Sequence, residues 1–111
     1  MKVTDIIEKL NLKVIAGAEG LQNKVTGGYT SDLLSDVMGN ADEGQVWITL
    51  QTHRNVMAVA SLKEVAAVII VKGLEAEEST ISQSNNEGIP LLSSDLETFE
   101  LSGQLYQLLH P

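Results

Sequence analysis

Three observations predict an α/β fold for this chain of 111 residues, with a mainly parallel five-stranded sheet and helices on both faces. Helical and strand periodicities alternate from Ser31 onward, the order that builds parallel sheets. Ala66 to Val71 is a nearly continuous apolar run closed by Lys72-Gly73, the pattern of a strand covered on both sides. No repeat, low-complexity tract or long linker divides the sequence, so residues 1–111 read as a single domain with one core.

Taken in order, the first ten residues set Val3, Ile6, Ile7 and Leu10 on one helical face, with Thr4 and Asp5 as a start signal. Lys13 to Ala16 reads as a strand, Gly17-Ala18-Glu19-Gly20 as a turn, and Lys24 to Tyr29 as a second strand. Joined through Gly17 to Asn23, these two strands are placed to pair antiparallel, which makes the sheet mixed. Leu33, Leu34, Val37 and Met38 then share one face of a short helix over Ser31 to Met38. Ser31 or Asp32 is its expected N-cap and Gly39-Asn40 its left-handed stop.

Gln45 to Leu50 is β-branched and aromatic enough for a strand. Asn55 is placed to cap a helix through Glu64, in which Val56 to Ala60 with Leu62 occupy most of the circumference. Such a helix needs contact on more than one side, between the sheet and a second layer or at a subunit interface. The Ala66 to Val71 run is the candidate for the centre of the sheet. A polar helix over Glu77 to Asn86, with Ile81 almost alone as an apolar anchor, belongs on the surface. Pro90 opens a short strand, Leu91 to Ser93, where a missing donor does least harm. Ser94 and Glu97 have capping-box spacing for a last helix that runs to Leu109. Leu96, Phe99, Leu101, Leu105, Tyr106, Leu108 and Leu109 are expected on one broad apolar face of it.

Composition narrows the function. Seven Lys plus Arg against 15 Asp plus Glu argue against nucleic acid, whose binding relies on clustered cations that release counterions. With no Cys, disulfides, thiolate metal sites and thiol nucleophiles are excluded, which suits a reducing cytoplasm. Met1 to Leu10 lacks the apolar core of a secretory signal. The longest apolar run, Val65 to Val71, falls far short of the roughly 20 residues that span a bilayer, so no membrane contact is expected.

Two loops could hold a ligand. Val25-Thr26-Gly27-Gly28-Tyr29-Thr30-Ser31-Asp32 ends a strand, crosses adjacent glycines and enters a helix, a setting that can present N–H groups to a phosphate. It is neither a Walker loop nor a dinucleotide fingerprint, because no Gly-Lys-Ser/Thr and no G-x-G-x-x-G occurs. Its glycines could equally serve close packing of the helix. Gln51-Thr52-His53-Arg54-Asn55 also follows a strand and precedes a helix, and would share a crevice with the first loop if their strands are neighbours. Thr26, Gly27, Gly28, Thr30, Ser31, Thr52, His53 and Arg54 are therefore the candidate ligand-binding residues. No second His or carboxylate set accompanies His53 in sequence, so neither a metal site nor a catalytic constellation is expected. Asp32 and Asp36, four apart, are read as favourable charges near a helix start.

From Val25-Thr26-Gly27-Gly28-Tyr29-Thr30-Ser31-Asp32-Leu33-Leu34-Ser35-Asp36-Val37-Met38, the chain resembles the DRTGG domain family. The likeness continues through Trp47-Ile48-Thr49-Leu50-Gln51-Thr52-His53, Ala67-Val68-Ile69-Ile70 and Gly88-Ile89-Pro90-Leu91-Leu92. Asn23-Lys24 stands where the family's Asp-Arg is expected, and Val25 intervenes before Thr26-Gly27-Gly28, so no role for that pair is carried over. The resemblance implies a fold close to the N-terminal domains of HPr kinase/phosphorylase and the Mur ligases. It also implies a non-catalytic regulatory module, dimeric, of the kind found beside phosphotransacetylase domains and in CBS-domain pyrophosphatases. Stand-alone members, which the chain most resembles, occur near iron-only hydrogenase genes in anaerobic bacteria. That implies a hydrogenase or signalling system as the source of a protein partner. The kinase chemistry of HPr kinase belongs to a separate P-loop domain, whose glycine loop and Lys this chain lacks.

The leading expectation is thus a cytoplasmic regulatory or scaffolding module that forms a homodimer and has no activity or resident cofactor of its own. The alternative is a sensor of an adenine nucleotide or phosphorylated metabolite at the Gly27–Ser31 and Gln51–Asn55 loops.

Overall fold

The computed structural model describes residues 1–111, in the order α1 (Val3–Leu10), β1 (Lys13–Ala16), β2 (Gly27–Thr30), α2 (Leu34–Asn40), β3 (Gln45–Thr49), α3 (Asn55–Lys63), β4 (Ala67–Ile70), α4 (Glu78–Glu87), β5 (Leu91–Ser93) and α5 (Thr98–Leu109). One mixed sheet has the strand order β1-β5-β4-β3-β2. β2, β3, β4 and β5 run parallel, and β1 closes the far edge antiparallel to β5. As its composition requires, β4 lies at the centre with Ala67, Val68, Ile69 and Ile70 all buried.

The sheet is mixed, yet the expected β1–β2 pairing does not form: those strands occupy opposite edges. The connection between them turns through a 3-10 helix at Ala18–Gly20 and crosses the amino ends of the other strands. Gly17, with φ of 74°, makes that path possible, since a Cβ there would stand 2.1 Å from the Ile89 carbonyl oxygen.

Alternation along β3 distributes the core between two layers. Val46 and Ile48 face α1 and α5, where they join Val3, Ile6, Ile69, Leu92, Leu101 and Leu105. Trp47 points the other way, among Val37 of α2, Val56, Met57, Val59 and Ala60 of α3, Val68 and Leu91. Two helices therefore cover one face and three cover the other. The crowded apolar circumference of α3 is absorbed within the chain, because the sheet lies beneath it and α2 and α4 flank it. The subunit interface that this helix suggested in sequence is not required by it; Leu62 is its one large apolar residue left exposed.

α4 is less superficial than its polarity suggests. Thr80 and Ser84 are fully buried, and their hydroxyls donate to the carbonyls of Thr52 at 2.7 Å and Ile89 at 2.6 Å. Hydrogen bonds thus replace apolar contacts along its inner side.

Several helix starts differ from expectation. Asn55 opens α3 without capping it, and Arg54 occupies the cap position with no side-chain bond. The capping box at Ser94 is absent: the Ser94 hydroxyl accepts from the Leu96 N–H at 3.1 Å, and the last helix begins only after Glu97. α2 begins after Leu33, so neither Ser31 nor Asp32 is its N-cap, and it ends through extended Ala41 rather than a left-handed Gly39-Asn40. In α5 the expected single apolar face divides. Leu101 and Leu105 are buried, whereas Phe99 is 89% and Tyr106 67% exposed.

Candidate functional site

β2 and β3 are parallel neighbours, so the two candidate loops do meet at the carboxyl ends of these strands. What joins them is Asp32. Its Oδ1 accepts from Thr49 Oγ1 at 3.0 Å and from the Leu50 N–H at 2.8 Å, while Gln51 Nε2 donates to its carbonyl at 2.9 Å. A carboxylate therefore occupies the position at which a phosphate would need N–H donors. Because Asp32 precedes α2, it does not share a helix face with Asp36.

The remaining candidates separate. Ser31 supports Trp47, whose Nε1 donates to the Ser31 carbonyl at 2.8 Å, and its hydroxyl accepts from the Leu33 N–H. Thr52 presents its carbonyl to Thr80 Oγ1 and to the Glu77 N–H. His53 Nδ1 lies 2.7 Å from Glu77 Oε2 with both side chains largely in solvent, and Arg54 beside it is exposed. The carboxylate beside His53 is thus Glu77 and neither Asp32 nor Asp36.

Thr26, Gly27, Gly28 and Thr30 line a different space, a groove of about 410 Å³ between the open edge of β2 and α5. Gly27 and Gly28 form regular strand rather than a loop. The second glycine is favoured by packing: a Cβ on Gly28 would stand 2.9 Å from Leu105 Cδ2, so its absence lets Leu105 of α5 lie close on the strand. Thr30 Oγ1 and Ser102 Oγ share a hydrogen bond of 2.8 Å across the groove, and Thr26 Oγ1 donates to the Glu43 carbonyl at 2.9 Å. Gln45, Tyr106, Leu109 and His110 complete the walls. Ahead of the groove, Asn23 donates through Nδ2 to the Ala66 carbonyl at 3.2 Å, and Lys24 forms an isolated bridge to Lys2.

A second cavity of about 410 Å³ lies at the carboxyl ends of β4 and β5, with apolar walls from Ile15, Ile70, Leu74 and Ile81 and with Lys13, Glu75 and Asp95 among its lining residues. The sequence reading passed over it. Its signal was the pair of turns Lys72-Gly73 and Ser94-Asp95, each following a parallel strand, where ligands gather in such sheets.

Two carboxyls have shifted acidities. The Ser31 hydroxyl, then the Tyr29 hydroxyl at 2.9 Å, hold Asp36 below the usual carboxylate range, with help from Asn40. Reciprocally, the bond to Asp36 pushes the Tyr29 phenol up. At the opposite end of the sheet, the hydrogen bond that the protonated Glu43 carboxyl donates to Glu64, together with the charge of Glu64, pushes Glu43 up.

Comparison with known proteins agrees with this architecture. The family model described as the DRTGG domain matches residues 5–108. The HPr kinase/phosphorylase of Geobacillus sp. (strain WCH70) is 26% identical over 123 residues, covering 95% of this chain and 39% of that protein. The crystal structure of the CBS and DRTGG domains of the regulatory region of Clostridium perfringens pyrophosphatase, complexed with its activator diadenosine tetraphosphate, superposes with a TM-score of 0.74. At 14% identity it covers 96% of this chain and 46% of its own, so the likeness is one of fold. This chain spans less than half the length of either relative.

Proposed function

The chain belongs to the DRTGG domain family, and from that membership we propose that it is a regulatory or scaffolding module, without catalytic activity of its own, that acts by self-association and protein contact. The observation that supports this best is the placement of apolar surface: Phe99 and Tyr106 stand outward on α5. Exposed aromatic side chains that share a face mark interaction surfaces on soluble domains. The non-catalytic part of the reading rests on the strand ends, where His53 is bound to Glu77 in solvent and Asp32 is taken up by Thr49 and Leu50. A regulatory setting agrees with the solved relative, whose corresponding domain lies in the regulatory region of a pyrophosphatase. Sedimentation velocity across micromolar concentrations is the test, with a dimer as the expected species; a strict monomer overturns self-association.

The reading as a sensor of an adenine nucleotide or phosphorylated metabolite has one observation in its favour, the groove lined by Thr26, Gly27, Gly28 and Thr30. A ligand at about 100 times its Kd adds about 2.7 kcal/mol to stability. A thermal-shift panel of such compounds would therefore register a binder, and an unshifted melting point throughout rejects this alternative.

A further inference from the structure

We infer that the self-association proposed above, on which this inference rests, is an antiparallel pairing of α5 with α5 of a second copy. In this pairing the Phe99 of each copy packs on the other's Tyr106 across Gly103.

The outward stripe of α5 is Phe99, Gly103, Tyr106 and His110, spaced four, three and four residues apart and therefore in line on a helix. All four are exposed, directly opposite buried Leu101 and Leu105. Gly103 has no explanation inside the chain. Its φ is not positive, and a Cβ added there would meet nothing within 4 Å. A glycine in an exposed helix interior is unfavourable relative to alanine. At a helix crossing, however, the missing side chain allows two axes to approach closely.

The stripe is also self-complementary. In a two-fold antiparallel pair, residues whose numbers share a constant sum face one another, so a crossing between Ser102 and Gly103 sets Phe99 against Tyr106 twice over. Each aromatic ring then fills the space beside the other copy's glycine. Tyr106 is already held for this contact by His110, with ring centroids 4.3 Å apart and planes at 23°.

Charge permits a second copy at this stripe where it opposes one elsewhere. The chain carries 15 Asp plus Glu against 7 Lys plus Arg, so most ways of bringing two copies together oppose carboxylates. The stripe itself contains no carboxylate, and Ser102 and Gln107 flank it with Glu100 as its one acidic neighbour on the helix surface. Two copies can meet here with little like-charge contact. The stripe also adjoins the β2 groove, since Tyr106 and His110 form its outer lip.

Because the chain has no Cys, one introduced thiol reports proximity without interference. The full chain and its Phe99→Glu, Tyr106→Glu and Leu62→Glu variants are compared by sedimentation velocity, with circular dichroism to confirm folding. Gly103→Cys and Leu62→Cys are oxidised in parallel. Phe99→Glu and Tyr106→Glu are expected to weaken the dimer about 30-fold or more, the scale of losing a hot-spot aromatic. Leu62→Glu should leave it unchanged, and Gly103→Cys alone should give a covalent dimer. A dimer that survives both aromatic substitutions overturns this interface while leaving self-association standing. A wild-type monomer overturns both, and a covalent dimer through Leu62→Cys but not Gly103→Cys moves the contact to α3.

Discussion

The two faces of the sheet bury equal clusters of 13 residues but treat their outer surfaces differently. On the three-helix face, α3 lies between α2 and α4, and neighbours within the chain receive its sideways apolar groups. On the two-helix face, α5 uses Leu101 and Leu105 inward and has no helix above it to receive Phe99 and Tyr106. Apolar content alone therefore does not identify an interface; what matters is whether the fold supplies a neighbour in that direction. The more apolar helix finds its neighbours within the chain, and the helix with two aromatics on its back is the one on which the proposed pairing rests.

The largest effects test whether the inner halves are equivalent. Trp47→Ala on the three-helix face is expected to cost about 3–5 kcal/mol, and Leu101→Ala on the other about 2–5 kcal/mol, read from urea unfolding midpoints. A loss far smaller for Leu101→Ala would mean that α5 is only loosely attached. Next in size, Asp32→Ala strands the Thr49 hydroxyl and the Leu50 N–H and should cost about 1–3 kcal/mol in the same measurement. Gly103→Ala tests the open side. At concentrations low enough to keep the chain monomeric it should raise stability by about 0.5–1 kcal/mol, because nothing in the chain uses that glycine.

The smallest effects are those of pH, with opposite signs at the two ends of the sheet. Asp36 has a depressed folded-state pKa, so its contribution is present above the ordinary carboxylate value and fades as pH falls through the folded one. Glu43 is raised by Glu64, so its contribution is present below the ordinary value and is lost as pH rises through the folded one. Tyr29→Phe should move the Asp36 titration upward and Glu64→Gln should move that of Glu43 downward, both followed by carboxyl NMR shifts.

Much of this architecture was legible in residue patterns. The apolar run at Ala67–Ile70 located the central strand, and the limits of β1 and β5 were read to the residue. Strand pairing was not legible, because a short Gly-bounded connection such as Gly17 to Asn23 looks like a hairpin whether or not the chain later crosses the sheet. Helix caps failed where side chains found other work: Asp32 bonds the next strand's end, and Ser94 closes a local turn. The exposed stripe of α5 was readable in principle, since Phe99 and Tyr106 lie seven apart, on a different face from Leu101, Leu105 and Leu108. Grouping all of them as one broad face hid it. The candidate ligand residues were found as neighbours in sequence, but Asp32 stands between them, and burial patterns carry no warning of a carboxylate's hydrogen bonds.

The pairing of Lys13 with Ser93 has a consequence for how the molecule assembles. β1 has for its partner β5, far later in sequence, and α1 likewise rests against α5. Closing so long a loop costs chain entropy before its contacts form, which slows folding relative to a hairpin-built sheet. Until β5 exists, β1 has no edge to join, so the segment that carries β1 completes its place in the fold only once the chain is present through Ser93.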